Sequence, residues 1–209
     1  MNVRIYIGNE HHAHHAQSIV DMINDAAGKR GTGIAKRSAD YISKKINEGK
    51  AVMALSEGKP VGFCYIETWS NVKYIANSGL IVHEDFRGSG LAAKIKKRAF
   101  ELTRELYPKA KLFGITTSLP VMKINSDLGY KPVTFSELTD DKAFWKGCEG
   151  CKNHDILLRN DHKMCLCTGM LYTPKDNGKP TPEVKETRWE IFKRFVSIRK
   201  IIKQRKLKK

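Results

Sequence analysis

The chain has 209 residues, 41% of them apolar, enough to build a buried core and to exclude wholesale disorder. Lysine and arginine number 38 against 22 aspartates and glutamates, for a net charge of +16. No run of about eighteen apolar residues occurs, which argues against a membrane-spanning helix, and the first residues lack an apolar signal stretch, so the chain reads as uncleaved and cytoplasmic. Residues 3–7 alternate Val, Ile and Ile with Arg and Tyr, the period of a first strand. Asn9 is placed to cap a helix running to about residue 27, carrying Ile19, Val20, Met22 and Ile23 on its apolar side. The glycines at 28, 31 and 33 are expected to break it. Ser38 caps a second helix to about residue 46, stopped by Gly49. Strand-like runs at 51–55 and 60–69 flank Glu57-Gly58-Lys59, a hairpin turn. A strand over 74–82 follows, then Arg87-Gly88-Ser89-Gly90 opening a helix over 91–106, with Leu91, Ile95, Ala99 and Leu102 on its core face. A strand at 112–117, a short helix at 120–128 ended by Gly129, and a strand at 130–135 complete a β-α-α-β-β-β-α-β-α-β order, a mixed α/β layer architecture.

The chemistry lies in the strand–Arg-Gly-Ser-Gly–helix unit. Glycines let backbone N–H groups approach an anion without a Cβ in the way, and the helix start adds unpaired donors and a favourable dipole. Together they form a pyrophosphate cradle. The segment lacks the Gly-Lys-Ser/Thr of a Walker motif and the third glycine of a dinucleotide fingerprint.

The pattern Val82-x4-Arg87-Gly88-Ser89-Gly90-Leu91-Ala92 resembles the acyl-CoA motif of the GNAT N-acetyltransferases, Arg/Gln-x-x-Gly-x-Gly/Ala. The element order over residues 1–135 is similar to that family's, and Asp127-Leu128-Gly129-Tyr130 stands where it has Leu-Gly-Phe. The resemblance implies an α/β (α+β) GNAT fold: a mixed, mostly antiparallel central sheet with one splayed parallel pair, here 74–82 and 112–117. It also implies acetyl-CoA or another acyl-CoA as co-substrate. Leu80, Ile81 and Val82 would meet the pantetheine by backbone, and the N–H groups from Arg87 through Gly88, Ser89, Gly90, Leu91 and Ala92 would hold the pyrophosphate. The thioester would lie near residues 78–80, with an oxyanion donor from the backbone at 79–80.

Two groups that the family often uses are missing. The strand before the loop carries Asn77 and Ser78 in place of a glutamate, and the tyrosine position four residues before Gly129 is Asn125. Glu67, on the neighbouring strand, is then the candidate base, acting through a water, with a surface-facing strand residue as the plain alternative. Asn125 is a candidate hydrogen-bonding partner for the CoA sulfur or the pantetheine. On the acceptor side, Arg30, Thr32, Lys36 and Arg37 lie between the first two helices, where the family forms its acceptor lid; basic side chains there suit a carboxylated acceptor. Thr116 and Thr117 could add hydroxyl donors.

More narrowly, the chain resembles short bacterial GNAT proteins linked to arginine biosynthesis and similar to N-acetylglutamate synthase. The segments that carry this are 30–37, 113–117 and 135–139, together with the cysteine-bearing segment. The resemblance implies glutamate or a relative as acceptor, and an acetyl or succinyl group as the one transferred. A protein or other amine N-acetyltransferase, and a catalytically silent CoA-binding regulator, are the alternatives.

Five cysteines with no secretion signal argue against a disulfide framework. Cys148-x2-Cys151-x13-Cys165-x-Cys167 resembles a zinc ribbon or knuckle, so four thiolates closing a structural zinc site are one expectation; reduced thiols packing a C-terminal lobe are the other. Cys64 reads as a small core residue, which leaves no cysteine at the expected thioester and points to direct attack in a ternary complex. The organisation expected is a GNAT core at 1–139, a cysteine-containing extension at 140–173, a linker at 174–182 and a basic amphipathic helix at 183–209. That last stretch carries eleven basic and three acidic residues, suiting a weak contact with nucleic acid or an anionic membrane, or packing on a second copy in a homodimer.

Overall fold

The computed structural model describes residues 2–30, 34, 36–69 and 72–174. Residues 175–182 of the expected linker, the basic segment 183–209 and Thr32 lie outside the described residues. Seven strands form one sheet in the order β1-β2-β3-β4-β5-β7-β6. They are β1 (Val3–Ile7), β2 (Ala51–Ser56), β3 (Lys59–Thr68), β4 (Tyr74–Val82), β5 (Lys111–Thr116), β6 (Lys131–Val133) and β7 (Thr168–Tyr172). All neighbours pair antiparallel except β4 and β5. The fold is the mixed α/β class with a single parallel pair that the sequence pattern implies.

Both faces of the sheet are covered, so the central strands are apolar almost without interruption. On one face, α1 (Ala16–Arg30) and α2 (Ala39–Asn47) bring Ile19, Ile23, Ile42 and Ile46 against Met53, Phe63 and Tyr65. On the other, α3 (Leu91–Leu106) sets Leu91, Ile95, Ala99 and Leu102 on Val52, Cys64, Ile66 and Ile75. Each such Ile or Leu contributes about 1.5–3 kcal/mol by leaving water. Ser38 caps α2 as expected, accepting from the Tyr41 N–H at 3.2 Å.

Three elements differ from the sequence pattern. The first helix is split: Asn9 caps a 3-10 turn over Glu10–His15, and α1 begins only at Ala16. It then runs through Gly28 to Arg30, because a lone glycine costs a helix only about 1 kcal/mol. The strand expected at 130–135 is cut to Lys131–Val133, since Phe135 turns inward as the first residue of a 3-10 turn capped by Thr134. After α4 (Leu119–Asp127), the cysteine-bearing segment holds two short helices, α5 (Lys142–Lys146) and α6 (His154–Arg159), and then β7. That strand lies between β5 and β6, paired to both, so the segment expected as an extension supplies part of the sheet.

Two irregularities open the sheet at its centre. β4 and β5 pair only through Tyr74–Lys111, Ile75–Leu112 and Ala76–Phe113, after which the two strands part. Directly beyond, β4 bulges: Ser78 faces Tyr65 while Ile81 faces Phe63, one residue too many on β4. Gly79, at φ +65°, makes the bulge possible; a Cβ there would stand 2.5 Å from the Tyr65 ring.

Candidate active site

A cavity of about 660 Å³ occupies the gap left where β4 and β5 part. The bulge residues Ser78, Gly79 and Leu80 line one wall, and Gly114, Ile115 and Thr116 of β5 the other. Since Tyr41 of α2 and Lys96 of α3 both line it, the cavity runs from one face of the sheet towards the other. A bulge leaves its extra residue out of the ladder, so backbone N–H donors are available where a thioester carbonyl would rest.

The glycine-rich turn lies outside this cavity, as an exposed loop at the start of α3. Gly88 and Gly90 both have φ +75°, and a Cβ on either would meet nothing within 4 Å, so their backbone faces open space. Gly90 is the N-cap and offers no side-chain acceptor to the first turn, which leaves that turn's donors for an anion. The loop is braced from within: Ser89 Oγ donates to the Phe86 carbonyl at 2.6 Å and Arg87 Nε to the Val82 carbonyl at 3.2 Å. Leu80 and Ile81 line the cavity, Val82 and Leu91 are buried, and Ala92 is half-buried.

Glu67 lies in the cavity wall, not on an open surface. Its carboxylate accepts from Lys45 Nζ at 2.7 Å and, in a very short contact, from the Tyr41 hydroxyl. Burial raises its pKa to about 7, opposed by the Arg37 charge; burial lowers Lys45 to about 8. The close contact favours the charged forms of both and so opposes the effect of burial on each. Arg37 is nearby, with Nε donating to the Tyr65 hydroxyl at 2.8 Å and its guanidinium 5.6 Å from the Tyr41 ring centre.

Asn125 sits at the expected place on α4, fully buried and lining the cavity. Its amide nitrogen contacts Met170 Sδ at 3.7 Å, while its Oδ1 has no partner. A buried acceptor left unpaired costs about 1–3 kcal/mol, and a ligand N–H would relieve it. Of the acceptor-side candidates, Lys36, Arg37 and Thr116 line the cavity. Thr117 is exposed and outside it, and the Arg30 side chain and Thr32 lie outside the described residues. Thr116 Oγ1 already accepts from the Ser118 N–H at 3.0 Å.

The zinc expectation is corrected. Cys148, Cys151, Cys165 and Cys167 do converge, and all four line the cavity. Yet among the described residues no three His, Cys, Asp or Glu are arranged to hold a metal ion. Cys148, Cys165 and Cys167 pack beside Phe135, Trp145 and Leu157. Burial, reinforced by the neighbouring cysteines, raises Cys148 to about 11 and Cys167 to about 12, so both are neutral thiols at pH 7. They are an apolar lining, and also a set of cavity cysteines that reading the sequence did not foresee.

The sequence reading also missed Tyr41, Lys45, Tyr65 and Lys96. None of the four belongs to a motif, and nothing in the local pattern sets these tyrosines and lysines apart from others in the chain. Only a charged residue beside the apolar stripe of α3, Lys96 next to Ile95, hinted otherwise.

A mixed sheet whose one parallel pair parts over a bulge, next to a glycine-rich helix start, defines an acyl-CoA-dependent acetyltransferase architecture. Residues 18–118, just under half of the chain, match the Acetyltransferase (GNAT) family. Similar solved structures include an N-acetylglutamate synthase from Neisseria gonorrhoeae complexed with coenzyme A and N-acetyl-glutamate (TM-score 0.57, 12% identity, covering 83% of this chain and 35% of that one). A Mycobacterium tuberculosis protein in complex with CoA has TM-score 0.59 at 14% identity, over 81% of this chain and 98% of that one. The diaminobutyrate acetyltransferase of Paenibacillus lautus, in complex with L-2,4-diaminobutyric acid and coenzyme A, has TM-score 0.55 at 10% identity, over 83% and 95%. The chain thus spans about a third of the length of the gonococcal synthase. No curated protein matches the chain in sequence.

Proposed function

We propose that the chain transfers an acyl group, acetyl or succinyl, from CoA to the amino group of a small carboxylated amine, with glutamate the leading acceptor. The observation that carries this is the pairing of Arg37 with Glu67 in one cavity open to the bulge. Arg37 supplies a cationic fork for a carboxylate, and Glu67 a base poised near neutrality. The gonococcal and Paenibacillus proteins, crystallised with N-acetyl-glutamate and diaminobutyric acid, support an amino-acid acceptor.

In this reading the glycine turn holds the pyrophosphate, the pantetheine runs along residues 80–82, and Asn125 Oδ1 accepts one of its N–H groups. The acceptor amine gives a proton to Glu67 through a water and attacks the thioester carbonyl. Bulge N–H groups stabilise the oxyanion as the C–N bond forms; the C–S bond then breaks and the thiolate leaves with the electron pair. Burial keeps Cys148 and Cys167 protonated and therefore poor nucleophiles, which favours direct attack over an acyl-enzyme on either of them. The basic segment 183–209 is proposed to make weak contacts with anionic surfaces.

The test is thiol release from acetyl-CoA and succinyl-CoA with a panel of amino acids. Turnover on glutamate supports the reading. Tight acyl-CoA binding with no turnover on any small amine overturns it in favour of a protein acceptor or a silent regulator.

A further inference from the structure

Lys96 is a basic side chain without an ionic partner among the described residues. It is 2% exposed, projects from α3 and lines the active-site cavity. Its Nζ donates to the Asn77 carbonyl at 3.1 Å and lies 5.6 Å from the centre of the Tyr130 ring. Asn77 is the first β4 residue past the last rung shared with β5, so the ammonium stands beneath the point where the strands part.

The polar groups around it are already engaged with each other. The Tyr130 hydroxyl donates to Asn77 Oδ1 at 3.2 Å, Asn77 Nδ2 donates to Thr103 Oγ1 at 2.7 Å, and Thr103 donates to the Ala99 carbonyl at 2.7 Å. No carboxylate of the described chain acts on Lys96; Cys64 is the one ionisable group that does, and burial pushes the amine's pKa down. Burying a lone ammonium is costly, and a single hydrogen bond to a carbonyl does not offset that cost. The remaining N–H donors are therefore available to an anion that arrives with a ligand.

The position selects which ligand. Arg37, Tyr41 and Glu67 belong to the α2 side of the sheet, where the acceptor is read above, whereas Lys96 comes from the α3 side. A thioester seated at the bulge has its acyl chain at the gap between β4 and β5, with Asn77 and Lys96 at its end. We propose that Lys96 is the counter-ion for a carboxylate at the far end of the acyl chain, so that the preferred donor is the CoA monothioester of a short dicarboxylic acid, of succinyl length. This rests on the acyl-CoA reading of the cavity and deepens it.

The test compares succinyl-CoA with butyryl-CoA, which has the same chain length without the charge, on the full-length protein. Two readouts are used: calorimetric binding of each donor without acceptor, and kcat/KM with glutamate. Lys96→Met keeps the length and apolar body of the side chain, and Lys96→Arg keeps the charge. The expected result is succinyl-CoA favoured over butyryl-CoA by roughly thirtyfold or more in the parent protein, falling to near parity in Lys96→Met and largely retained in Lys96→Arg. Equal binding of the two donors by the parent protein overturns the proposal, as does a preference that survives in Lys96→Met. So does a Lys96→Met variant that raises the KM for glutamate alone, which would move the charge to the acceptor's carboxylate. Failure of every amine to turn over would defeat the functional reading, while the binding ratio would still decide the role of Lys96.

Discussion

Replacing Glu67 with Gln removes the proposed base while keeping size and hydrogen-bonding shape, so Lys45 and Tyr41 retain a partner. Loss of a positioned general base costs about 10²–10⁴-fold, and kcat should fall by that amount with little change in the melting temperature. The pH profile is more discriminating. With Glu67 at about 7, the ionised fraction, and with it the rate, falls about tenfold per unit of pH well below that value. That acid limb should vanish from whatever activity Glu67→Gln retains. Lys45→Met supplies the sign. The ammonium at 2.7 Å favours the ionised carboxylate, so its removal must raise the pKa of Glu67. An opposite charge at such range is worth roughly 1–3 units, so the acid limb should move up by that amount and activity at pH 7 should drop roughly fivefold or more. Initial rates of thiol release across the neutral range, at saturating donor, measure both. Full kcat in Glu67→Gln, or a limb unmoved or shifted down in Lys45→Met, would refute the assignment of the base and of its tuning.

Three further outcomes follow from the geometry. Gly90→Val places a side chain at φ +75°, costing about 1–2 kcal/mol in backbone strain and covering the first-turn donors; calorimetry should register loss of acyl-CoA binding, with a folded protein by circular dichroism. Asn125→Leu deletes an acceptor that has no partner in the free protein, so the melting temperature should hold or rise while the Kd for acyl-CoA weakens about threefold to tenfold, the worth of one hydrogen bond. Chelator dialysis should leave activity and melting unchanged, because the four cavity thiols are not arranged as a metal site; a loss restored by zinc would restore the metal reading as well.

Periodicity and punctuation made much of the architecture legible along the chain. β1, β4 and α3 lie where their apolar spacing put them, and Ser38 caps α2. The glycine-rich turn was equally readable, because a loop that presents backbone to an anion needs its residue types in fixed local order. These features depend on neighbours within a few residues, and such local preferences are written in sequence. β7 was not legible, because its place depends on pairing with β5 and β6, which are distant in the chain. The same holds for the four cysteines: their spacing resembled a zinc motif, but tertiary structure sets them in the cavity wall, with Cys148, Cys165 and Cys167 packed beside Trp145 and Phe135. Glu67 could be named as a candidate; its tuning could not, since Lys45 and Tyr41 reach it from another element. Lys96 is the extreme case. Its place beside Ile95 hinted that it is no ordinary surface lysine, but that it lines the cavity where β4 parts from β5 depends on the tertiary structure. The sequence by itself determined most of the elements as far as α4, the Ser38 cap and the glycine-rich turn, which are short-range; burial, pairing order and the electrostatics of the cavity were decided by tertiary structure, because they depend on groups that only folding brings together.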